Sequence, residues 1–495
     1  MKRVLTLDIG STWTKGALVE LDGAPRCLGH ASAPTTTADL TLGAAEVLRR
    51  LLGRPSTAAL EVPAEMPLHL SSSAKGGLAV AAVGLVPDLT LHAARLAAAS
   101  AGGKIVAHFA YRLTPENIAS LRRLAPDIIL LAGGTDGGNE QYNLHNARML
   151  AAARLPAVVL YAGNAAVRGA VAEILADREL EIVDNLMPEI GRLAIAPAQS
   201  RIQEIFLRKI VEGKGLAALA ARCASPPKPT PRAAFELLEA IAATLPDWDE
   251  TLLVDIGGAT TDVYSCSESF VGRPGLVLRG LCEPRLKRSV EGDLGMRVNA
   301  RWAAATGQAY VDRELAGRQI PRERFEQFVE RASAAHDYLP RNAVEAACDE
   351  ILAGACLYHS LLRHAGSIEE SYTPDGRVLV QRGKDLRRIQ RWVGSGGYLA
   401  RRRRGDLEHR VLAAIRDDTG AARLVPGSPD YYADADYLWP LLGNLAADYP
   451  AEAAQLAVAH LVRIEGEAAT VAEAGKRSER PCPILGRQKD LGTAS

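Results

Sequence analysis

The stretch VLTLDIGSTWTKGALVEL, residues 4–21, joins an apolar run to an aspartate, a cluster of glycine and hydroxyl residues, and a lysine. The apolar residues on both sides predict two β-strands, at residues 2–8 and 16–21, connected by the small-residue turn GSTWT. A strand that ends in aspartate before such a turn offers backbone N–H groups and hydroxyls to phosphate, and its carboxylate suits hydrated magnesium. Lys15 adds a compact positive charge for terminal phosphates. The stretch therefore predicts one side of a metal–phosphate site.

The same pattern returns in TLLVDIGGATTDVYS, residues 251–265, about half a chain length after the first. Glycine turns recur by chance, but the flanking strands rarely recur with them, so the repeat predicts two halves built on one plan. If the halves face each other, Asp8 and Asp255 approach one Mg²⁺–phosphate unit from opposite sides. The other predicted contacts of this unit are Gly10, Ser11, Thr12, Lys15, Gly257, Gly258, Thr260 and Thr261.

A third glycine turn occurs in RWVGSGGYLA, residues 391–400, which predicts a strand, a turn and the start of a helix. The backbone of Gly394, Ser395, Gly396 and Gly397 would let an adenosine lie against it. Taken singly, this stretch is equally typical of a plain helix-start turn. The chain has neither a G-x-x-x-x-G-K-[ST] loop nor a G-x-G-x-x-G fingerprint, so the two commonest alternative nucleotide sites are unsupported.

Composition narrows the classes of partner. Lys plus Arg and Asp plus Glu number 58 each, so no overall field favours nucleic acid. The seven cysteines include no C-x-x-C pair, so the sequence does not indicate an iron–sulfur cluster or a structural zinc site. The longest apolar stretch, LAVAAVGLV from Leu78, is too short to span a bilayer, and the N-terminus lacks the form of a secretory signal. We predict a soluble cytoplasmic α/β protein without a membrane partner.

The chain divides into five predicted parts. Residues 1–74 begin the first half, and residues 75–185 alternate strand and helix patterns typical of an inserted, doubly wound, Rossmann- or flavodoxin-like domain. Residues 186–232 hold a helical segment and the proline-rich connector ASPPKPTPRAA. Residues 233–477 form the second half, with helices predicted at 322–366 and 441–476. The tail, residues 478–495, has no periodicity and is predicted to be mobile.

The order of the three glycine turns resembles the phosphate 1, phosphate 2 and adenosine segments of the actin, Hsp70 and sugar-kinase superfamily. That resemblance implies two actin-like, RNase H-like lobes around a nucleotide cleft, with the inserted α/β domain. Within the superfamily, the chain resembles the glutamate mutase L (MutL/GlmL) accessory family through motifs spread from the first strand to about residue 400. These motifs are DIGSTWTK, SSSAKGGL, GLVPDLT, AGGTDGGN, DNLMPEIGRL, DIGGATTDVYS, VEGDLGMR and VGSGGYLA.

The family resemblance implies a protein that binds ATP or ADP with Mg²⁺ and accompanies an adenosylcobalamin-dependent aminomutase, whose damaged cofactor it exchanges. By the same resemblance, VEGDLGMR, residues 290–297, falls on the helix that connects the lobes. Glu291 and Asp293 are then candidates to orient the attacking water, and capping of the helix start is the alternative role for Asp293. Homodimerisation and the identity of the mutase stay open. We expect residues 75–185 to carry the surface that contacts the mutase.

Other functions on the same scaffold remain alternatives. A small-molecule kinase of the sugar or carboxylate type is the first, although no stretch identifies an acceptor site with its base. A hydantoinase- or carboxylase-like enzyme is the second, and a non-enzymatic actin-like filament is the third. An iron–sulfur ATPase is disfavoured because paired cluster cysteines are missing.

Overall fold

The computed structural model describes most of the chain up to residue 464. The described residues are 2–10, 13–36, 39–54, 62–63, 65–73, 78–211, 216–268, 275–374, 376–402, 406–417 and 422–464. The predicted site residues Ser11 and Thr12, and the predicted mobile tail at 478–495, lie outside these ranges.

The strands and helices alternate through most of the chain. The strands are β1 (Arg3–Ile9), β2 (Trp13–Glu20), β3 (Arg26–Pro34), β4 (Leu68–Ser72), β5 (Ala79–Gly84), β6 (Lys104–Ala110), β7 (Ile128–Leu131), β8 (Val158–Tyr161), β9 (Leu180–Ile182), β10 (Lys228–Pro229), β11 (Thr251–Ile256), β12 (Thr261–Cys266), β13 (Leu276–Leu278), β14 (Leu286–Glu291), β15 (Ser367–Thr373), β16 (Gly376–Arg382), β17 (Arg391–Ser395), β18 (Ala422–Arg423), β19 (Asp430–Ala433) and β20 (Val462–Ile464). The α-helices are α1 (Leu40–Leu51), α2 (His92–Ser100), α3 (Pro115–Leu124), α4 (Gln141–Ala153), α5 (Arg168–Ile174), α6 (Ala196–Val211), α7 (Ala217–Ala220), α8 (Thr230–Thr244), α9 (Ala300–Thr306), α10 (Gln308–Gly317), α11 (Arg322–Ala334), α12 (Ala343–His364), α13 (Gly396–Leu399), α14 (Asp406–Asp417), α15 (Trp439–Gly443) and α16 (Pro450–His460).

Two sheets share one topology. The first has the order β10-β4-β1-β2-β3, with β1, β2 and β3 antiparallel and β4 and β10 parallel to β1. The second has the order β14-β12-β11-β17-β19-β20, with the same antiparallel meander followed by two parallel strands. Only the added edge strand β20 distinguishes them. The predicted repeat of two halves on one plan is confirmed, and with it the two-lobed α/β fold class.

A third sheet is parallel throughout and has the order β6-β5-β7-β8-β9. Its first strand lies between the second and third, as in flavodoxin-like doubly wound folds. A small sheet, β13-β16-β15-β18, is attached to the second lobe. The inserted doubly wound sheet therefore agrees with the predicted fold class, whereas the boundaries of the five parts remain predictions.

The buried cores do not follow the five predicted parts. One cluster runs from Leu5 and Leu7 in the first lobe to Val80 and Leu130 in the parallel sheet and Ala94 on α2, which packs against that sheet. Apolar side chains from both groups of elements thus pack together, and removing the parallel sheet would expose part of the first lobe to water. The inserted sheet is physically continuous with the lobe that carries it.

A second cluster joins the two lobes through their helices. Helices α8, α15 and α16 pack between the first strands of the first lobe and the central strands of the second. At the crossing of α8 and α15, Gly443 lies so close to the carbonyl oxygen of Ala233 that an added Cβ would collide with it. The lobes therefore meet along a tightly packed helix pair.

Two predictions about elements are wrong. Residues 290–297 do not form a connecting helix, because β14 continues through Glu291 and a turn follows it before α9 begins at Ala300. The predicted helix at 441–476 is interrupted within its described part: α15 ends at Gly443, α16 spans Pro450–His460, and Val462–Ile464 forms an edge strand. Residues 465–476 of this prediction lie outside the described residues. Apolar spacing did not distinguish that short strand from another helical turn. Among the described residues, no helix is both long and apolar enough to cross a membrane.

Candidate functional site

Asp8 lies at the end of β1 and is almost completely buried, with 1% of its surface exposed. Its Oδ1 accepts hydrogen bonds from Ser71 Oγ at 2.9 Å and from Thr230 Oγ1 at 2.5 Å. Ser71 is its neighbour on the parallel strand β4, and Thr230 begins helix α8. The carboxylate is thus fixed by two hydroxyls before any ligand is considered.

Lys15 faces Asp8 because the two residues are directly opposite in the antiparallel pair of β1 and β2. The Lys15 ammonium also lies over the ring of Tyr437, which belongs to the second lobe. Its charge interacts with the carboxylates of Asp8, Asp255 and Asp434. One lysine therefore stands where both lobes converge.

Asp255 occupies in the second lobe the position that Asp8 has in the first. It pairs with Asp262 across β11 and β12, and with Ser395 on the parallel strand β17. Gly396, which lies in the third glycine turn at the start of α13, has φ +85°, and an added Cβ would collide with Ile256 O and Asp255 Oδ1. Glycine is required there by both backbone conformation and space. The predicted second phosphate turn and the G-S-G-G turn are thus in contact.

Asp434 belongs to this site but was not predicted. It follows β19, is 4% exposed, and accepts hydrogen bonds from Ser395 Oγ at 3.0 Å and from Leu438 N at 2.8 Å. A further bond from Trp439 N, 3.2 Å, makes it the cap of the turn that leads into α15. The available signal was an aspartate after the short strand DYYA and just before the helix-forming stretch LWPLLG.

The pKa values reflect this crowding of charge. Burial raises the pKa of Asp8 and that of Asp434. Burial, followed by the neighbouring carboxylate of Asp262, raises the pKa of Asp255 to about 7. Burial lowers the pKa of Lys15, and the surrounding carboxylates oppose that shift. Three acidic groups with raised pKa values around one lysine mark a functional-site candidate.

The two aspartate–glycine turns close in the same way. Gly10 N donates to Trp13 O at 3.0 Å, and Gly257 N donates to Thr260 O at 2.8 Å. Gly258 is exposed, whereas Thr261 is buried and donates its hydroxyl hydrogen to Leu294 O. Among the predicted phosphate contacts of the second turn, Gly258 and the partly buried Gly257 and Thr260 are thus the accessible ones.

Glu291 and Asp293 lie outside this cluster of carboxylates. Both bind Arg363: its Nη1 is 2.6 Å from Glu291 Oε2 and 2.7 Å from Asp293 Oδ1. Asp293 does not cap a helix, since Asn299 precedes α9. Strand pairing joins Glu291 to Thr261, and the segment after Asp293 runs along the second turn, where Met296 N donates to Gly257 O at 3.1 Å and Arg297 N donates to Gly258 O at 2.9 Å. Their predicted role in orienting water stays a prediction without geometric support.

The residues present fit a hydrated magnesium ion better than a fully protein-bound metal. Among the residues with described positions, no group of three or more His, Cys, Asp and Glu side chains forms a metal cage. Mg²⁺ commonly keeps several waters and uses one or two carboxylates together with phosphate oxygens. Asp8 and Asp255 provide such carboxylates, both close enough to Lys15 for their charges to act on it, and Asp434 is a third.

These features define the class of the protein: an α/β protein with two lobes of one topology, whose paired aspartate turns converge on a lysine. Comparison with known sequences adds the family. The family model described as MutL protein matches residues 4–461. Protein MutL of Clostridium tetanomorphum is 34% identical over 473 residues, which cover 94% of this chain and all of that protein. The chain belongs to the MutL family, that of glutamate mutase L.

Two solved structures are similar to this chain at low sequence identity. Ligand-bound xylulose kinase from Lactobacillus acidophilus aligns with a TM-score of 0.34 and 11% identity, covering 94% of this chain and 93% of the kinase. A glycerol dehydratase reactivase aligns with a TM-score of 0.32 and 10% identity, covering 90% of this chain and 99% of the reactivase.

Proposed function

We propose that this protein binds ATP or ADP with Mg²⁺ between its two lobes and uses binding and hydrolysis to remodel an adenosylcobalamin-dependent aminomutase. The mutase would then release damaged cobalamin and accept an intact cofactor. The observation that carries the proposal is the convergence of Asp8, Asp255 and Asp434 on Lys15. Membership of the glutamate mutase L family supports the choice of a mutase as the partner.

The proposed roles follow from charge and position. Lys15 would pair with terminal phosphate oxygens, and the backbone of Gly257 and Gly258 would approach the phosphates closely. Asp8 and Asp255 would hold the waters of the magnesium ion, which supplies charge compensation for the phosphates when it is bound. Hydrogen bonds to charged groups contribute about 1.5–3 kcal/mol each, so a few of them suffice for micromolar nucleotide affinity.

Helix α15 connects this site to the contact between the two lobes. Asp434 caps the turn at its beginning. At its other end, Asn444 Nδ2 donates to Leu7 O at 2.8 Å and lies 3.1 Å from Ser71 Oγ, which in turn donates to Asp8. A change of charge at Asp8 or Asp434 therefore acts on the helix that joins the lobes.

The energy required for such a movement is modest. A ligand shifts an equilibrium between two arrangements only by its different affinity for them. A 100-fold preference supplies about 2.7 kcal/mol, which converts a ratio of ten to one into one to ten. Different contacts of ATP and ADP with Lys15 are enough to account for a difference of this size.

The mutase-binding surface remains assigned to residues 75–185. Deleting this segment is a poor test, because its side chains share a core with the first lobe. A surface variant is better: Tyr111 follows β6, is 53% exposed and has φ +67°, a conformation that asparagine adopts readily. We expect Tyr111→Asn to weaken capture of the mutase at least tenfold in a pull-down while nucleotide affinity is unchanged.

The activity itself is tested with glutamate mutase that carries inactivated cobalamin. The mutase is incubated with the full-length protein, Mg²⁺, ATP and fresh adenosylcobalamin, and recovered mutase activity is measured. We expect recovery with the unaltered protein and with Arg324→Gln, a control at an exposed site on α11 outside residues 75–185, but at least tenfold slower recovery with Lys15→Gln. Equal recovery without ATP, or with Lys15→Gln, would contradict the proposal, as would phosphorylation of a small metabolite as the main reaction.

A further inference from the structure

A cavity of about 670 Å³ lies apart from the candidate nucleotide site. Helix α2 and strand β6 of the inserted sheet form one side, and strand β14 with Arg363 forms much of the other. Asp8, Lys15 and Asp255 do not line it. Its volume falls in the range of about 300–1,000 Å³ that is usual for small-molecule sites.

The lining of the cavity is positively charged. Seven lysine and arginine side chains line it, against four aspartate and glutamate side chains. Three of the cations already have carboxylate partners: Arg363 binds Glu291 and Asp293, Lys287 binds Glu283, and Arg288 binds Asp262. Within the described part of the chain, the other four form no ion pair. They are Arg95, Lys104, Arg279 and Arg382.

Two of these cations stand at one end of the cavity. The side chain of Lys104 passes beside Gly292, where an added Cβ would lie 2.5 Å from Lys104 Cε. The charge of Arg95 acts on Glu291, which places it beside the same turn. Trp302 also lines the cavity and is 67% exposed, so a flat apolar surface adjoins the charged end. This end suits an anionic group attached to an organic body.

Glu283 and Arg382 have unmatched polar atoms along the same wall. Oε1 of Glu283 is 2.7 Å from Lys287 Nζ and 3.3 Å from His92 Nε2, whereas the buried Oε2 accepts no hydrogen bond. The Nε of Arg382 is also buried without a partner. Both atoms have less than 1 Å² of accessible surface, so they are enclosed within the wall and do not face the open cavity. The groups that a ligand can meet in the cavity are the cationic side chains without ion pairs.

We propose that this cavity is a second binding site, for a small organic polyanion whose phosphate or carboxylate groups lie against Lys104 and Arg95. Because the walls come from both the inserted sheet and the second lobe, the bound ligand would hold these two parts together. The proposal does not depend on nucleotide binding at Lys15.

Isothermal titration of the full-length protein with pyrophosphate and, separately, with citrate tests this site. Arg95 is exposed and makes no ion pair, so Arg95→Gln should fold normally. Arg123→Gln is the matched control, since Arg123 is an exposed arginine on α3 that does not line the cavity. We expect at least one of the two anions to bind, with affinity at least tenfold lower for Arg95→Gln and for Lys104→Gln, and unchanged for Arg123→Gln.

The anion that binds identifies the chemistry: pyrophosphate alone indicates a phosphate ligand, citrate alone a carboxylate ligand, and both a site that accepts either. Binding should also persist in Lys15→Gln, which separates this cavity from the nucleotide site. The proposal is overturned if neither anion binds the unaltered protein, or if Arg95→Gln and Lys104→Gln bind as well as Arg123→Gln. Loss of anion binding in Lys15→Gln alone would assign the anions to the nucleotide site instead.

Discussion

The residue opposite each aspartate makes two similar turns chemically different. In the first hairpin Asp8 faces Lys15, so a carboxylate and an ammonium adjoin. In the second hairpin Asp255 faces Asp262, so two carboxylates adjoin, and the buried Arg288 binds Asp262. The ionised form of Asp255 is consequently destabilised by a neighbouring carboxylate, whereas that of Asp8 is stabilised by a neighbouring ammonium. The raised pKa of Asp255, about 7, makes it the group whose titration is easiest to observe near neutral pH.

Stability should depend on pH through Asp255. In an unfolded chain an aspartate loses its proton near pH 4, whereas in the folded protein Asp255 keeps it until about pH 7. The folded state therefore binds more protons between these values, and stability falls as pH rises through this window. We expect Asp255→Asn to gain stability relative to the unaltered protein from pH 4 to pH 7, by more than about 1 kcal/mol.

Urea unfolding at several pH values measures this difference. Asp247→Asn is the control, because Asp247 is an exposed aspartate outside the candidate site. A constant difference for Asp255→Asn would show that Asp255 titrates normally in the folded protein.

Asp434 should contribute to stability as a cap as well as to the site. Asp434→Ala removes the acceptor for Leu438 N and Trp439 N and leaves Ser395 without its partner, so the free energy of unfolding should fall by about 1–3 kcal/mol. Asp436→Ala, an exposed aspartate two residues away, should change it by less than about 0.5 kcal/mol. Equal effects of the two substitutions in chemical denaturation would show that the hydrogen bonds to Asp434 do not stabilise the folded protein.

Among the elements, the crossing of α8 and α15 determines how the lobes meet. Gly443 allows α15 to approach the carbonyl of Ala233, and Trp439 Nε1 donates to Ala234 O at 3.1 Å nearby. Thr6 Oγ1 in the first lobe donates to Leu441 O at 2.7 Å. Helix α15 is short, but its contacts with both lobes fix how the lobes pack against each other.

Enlarging Gly443 should therefore be costly. Gly443→Ala forces the two helices apart and is expected to destabilise the protein by about 1–3 kcal/mol. Gly169→Ala is the matched control: Gly169 is also helical, and an added Cβ there meets no atom within 4 Å, so it should be neutral or slightly stabilising. A thermal midpoint unchanged in Gly443→Ala would contradict the close approach of the helices.

Elements with a strong local signal were predictable, and those set by tertiary pairing were not. The strands around Asp8 and Asp255 follow from apolar runs that end at aspartate and glycine. Residues 290–297 were assigned to a helix by resemblance, yet Val290 and Glu291 pair with Asp262 and Thr261 and so continue a strand. Asp434 was not predicted because the site residues that it contacts, such as Ser395 and Lys15, are distant from it in sequence.

For the whole molecule, Arg288 is the link between the candidate site and the inserted sheet. It is 3% exposed, binds Asp262 in the second lobe, and donates to Ala99 O and Gly103 O beside the inserted sheet. Asp262 in turn faces Asp255. One buried guanidinium thus connects the second turn to the wall of the cavity, a relation that no local pattern in the sequence indicates.

Breaking this link should be among the most destabilising single changes. Arg288→Met leaves Asp262 buried without its partner and is expected to reduce the free energy of unfolding by about 3–5 kcal/mol. Arg288→Lys keeps the charge but loses the planar guanidinium. Its free energy of unfolding should therefore lie between those of the unaltered protein and Arg288→Met, and it remains measurable if Arg288→Met does not fold. Arg301→Met, which removes an exposed ion pair with Glu330, should cost about 1 kcal/mol or less in urea unfolding. Similar costs for Arg288→Met and Arg301→Met would contradict a linking role.

The central claim is that both lobes bind one nucleotide around Lys15. Its most direct measurement is isothermal titration of ATP with Mg²⁺ into the unaltered protein, Asp8→Asn, Asp255→Asn and the exposed-site control Asp247→Asn. We expect one ATP to bind per chain, with affinity at least tenfold lower in both Asp8→Asn and Asp255→Asn and unchanged in Asp247→Asn. Unchanged affinity in either of the two site variants would mean that the lobes do not share a nucleotide, and it would contradict the account.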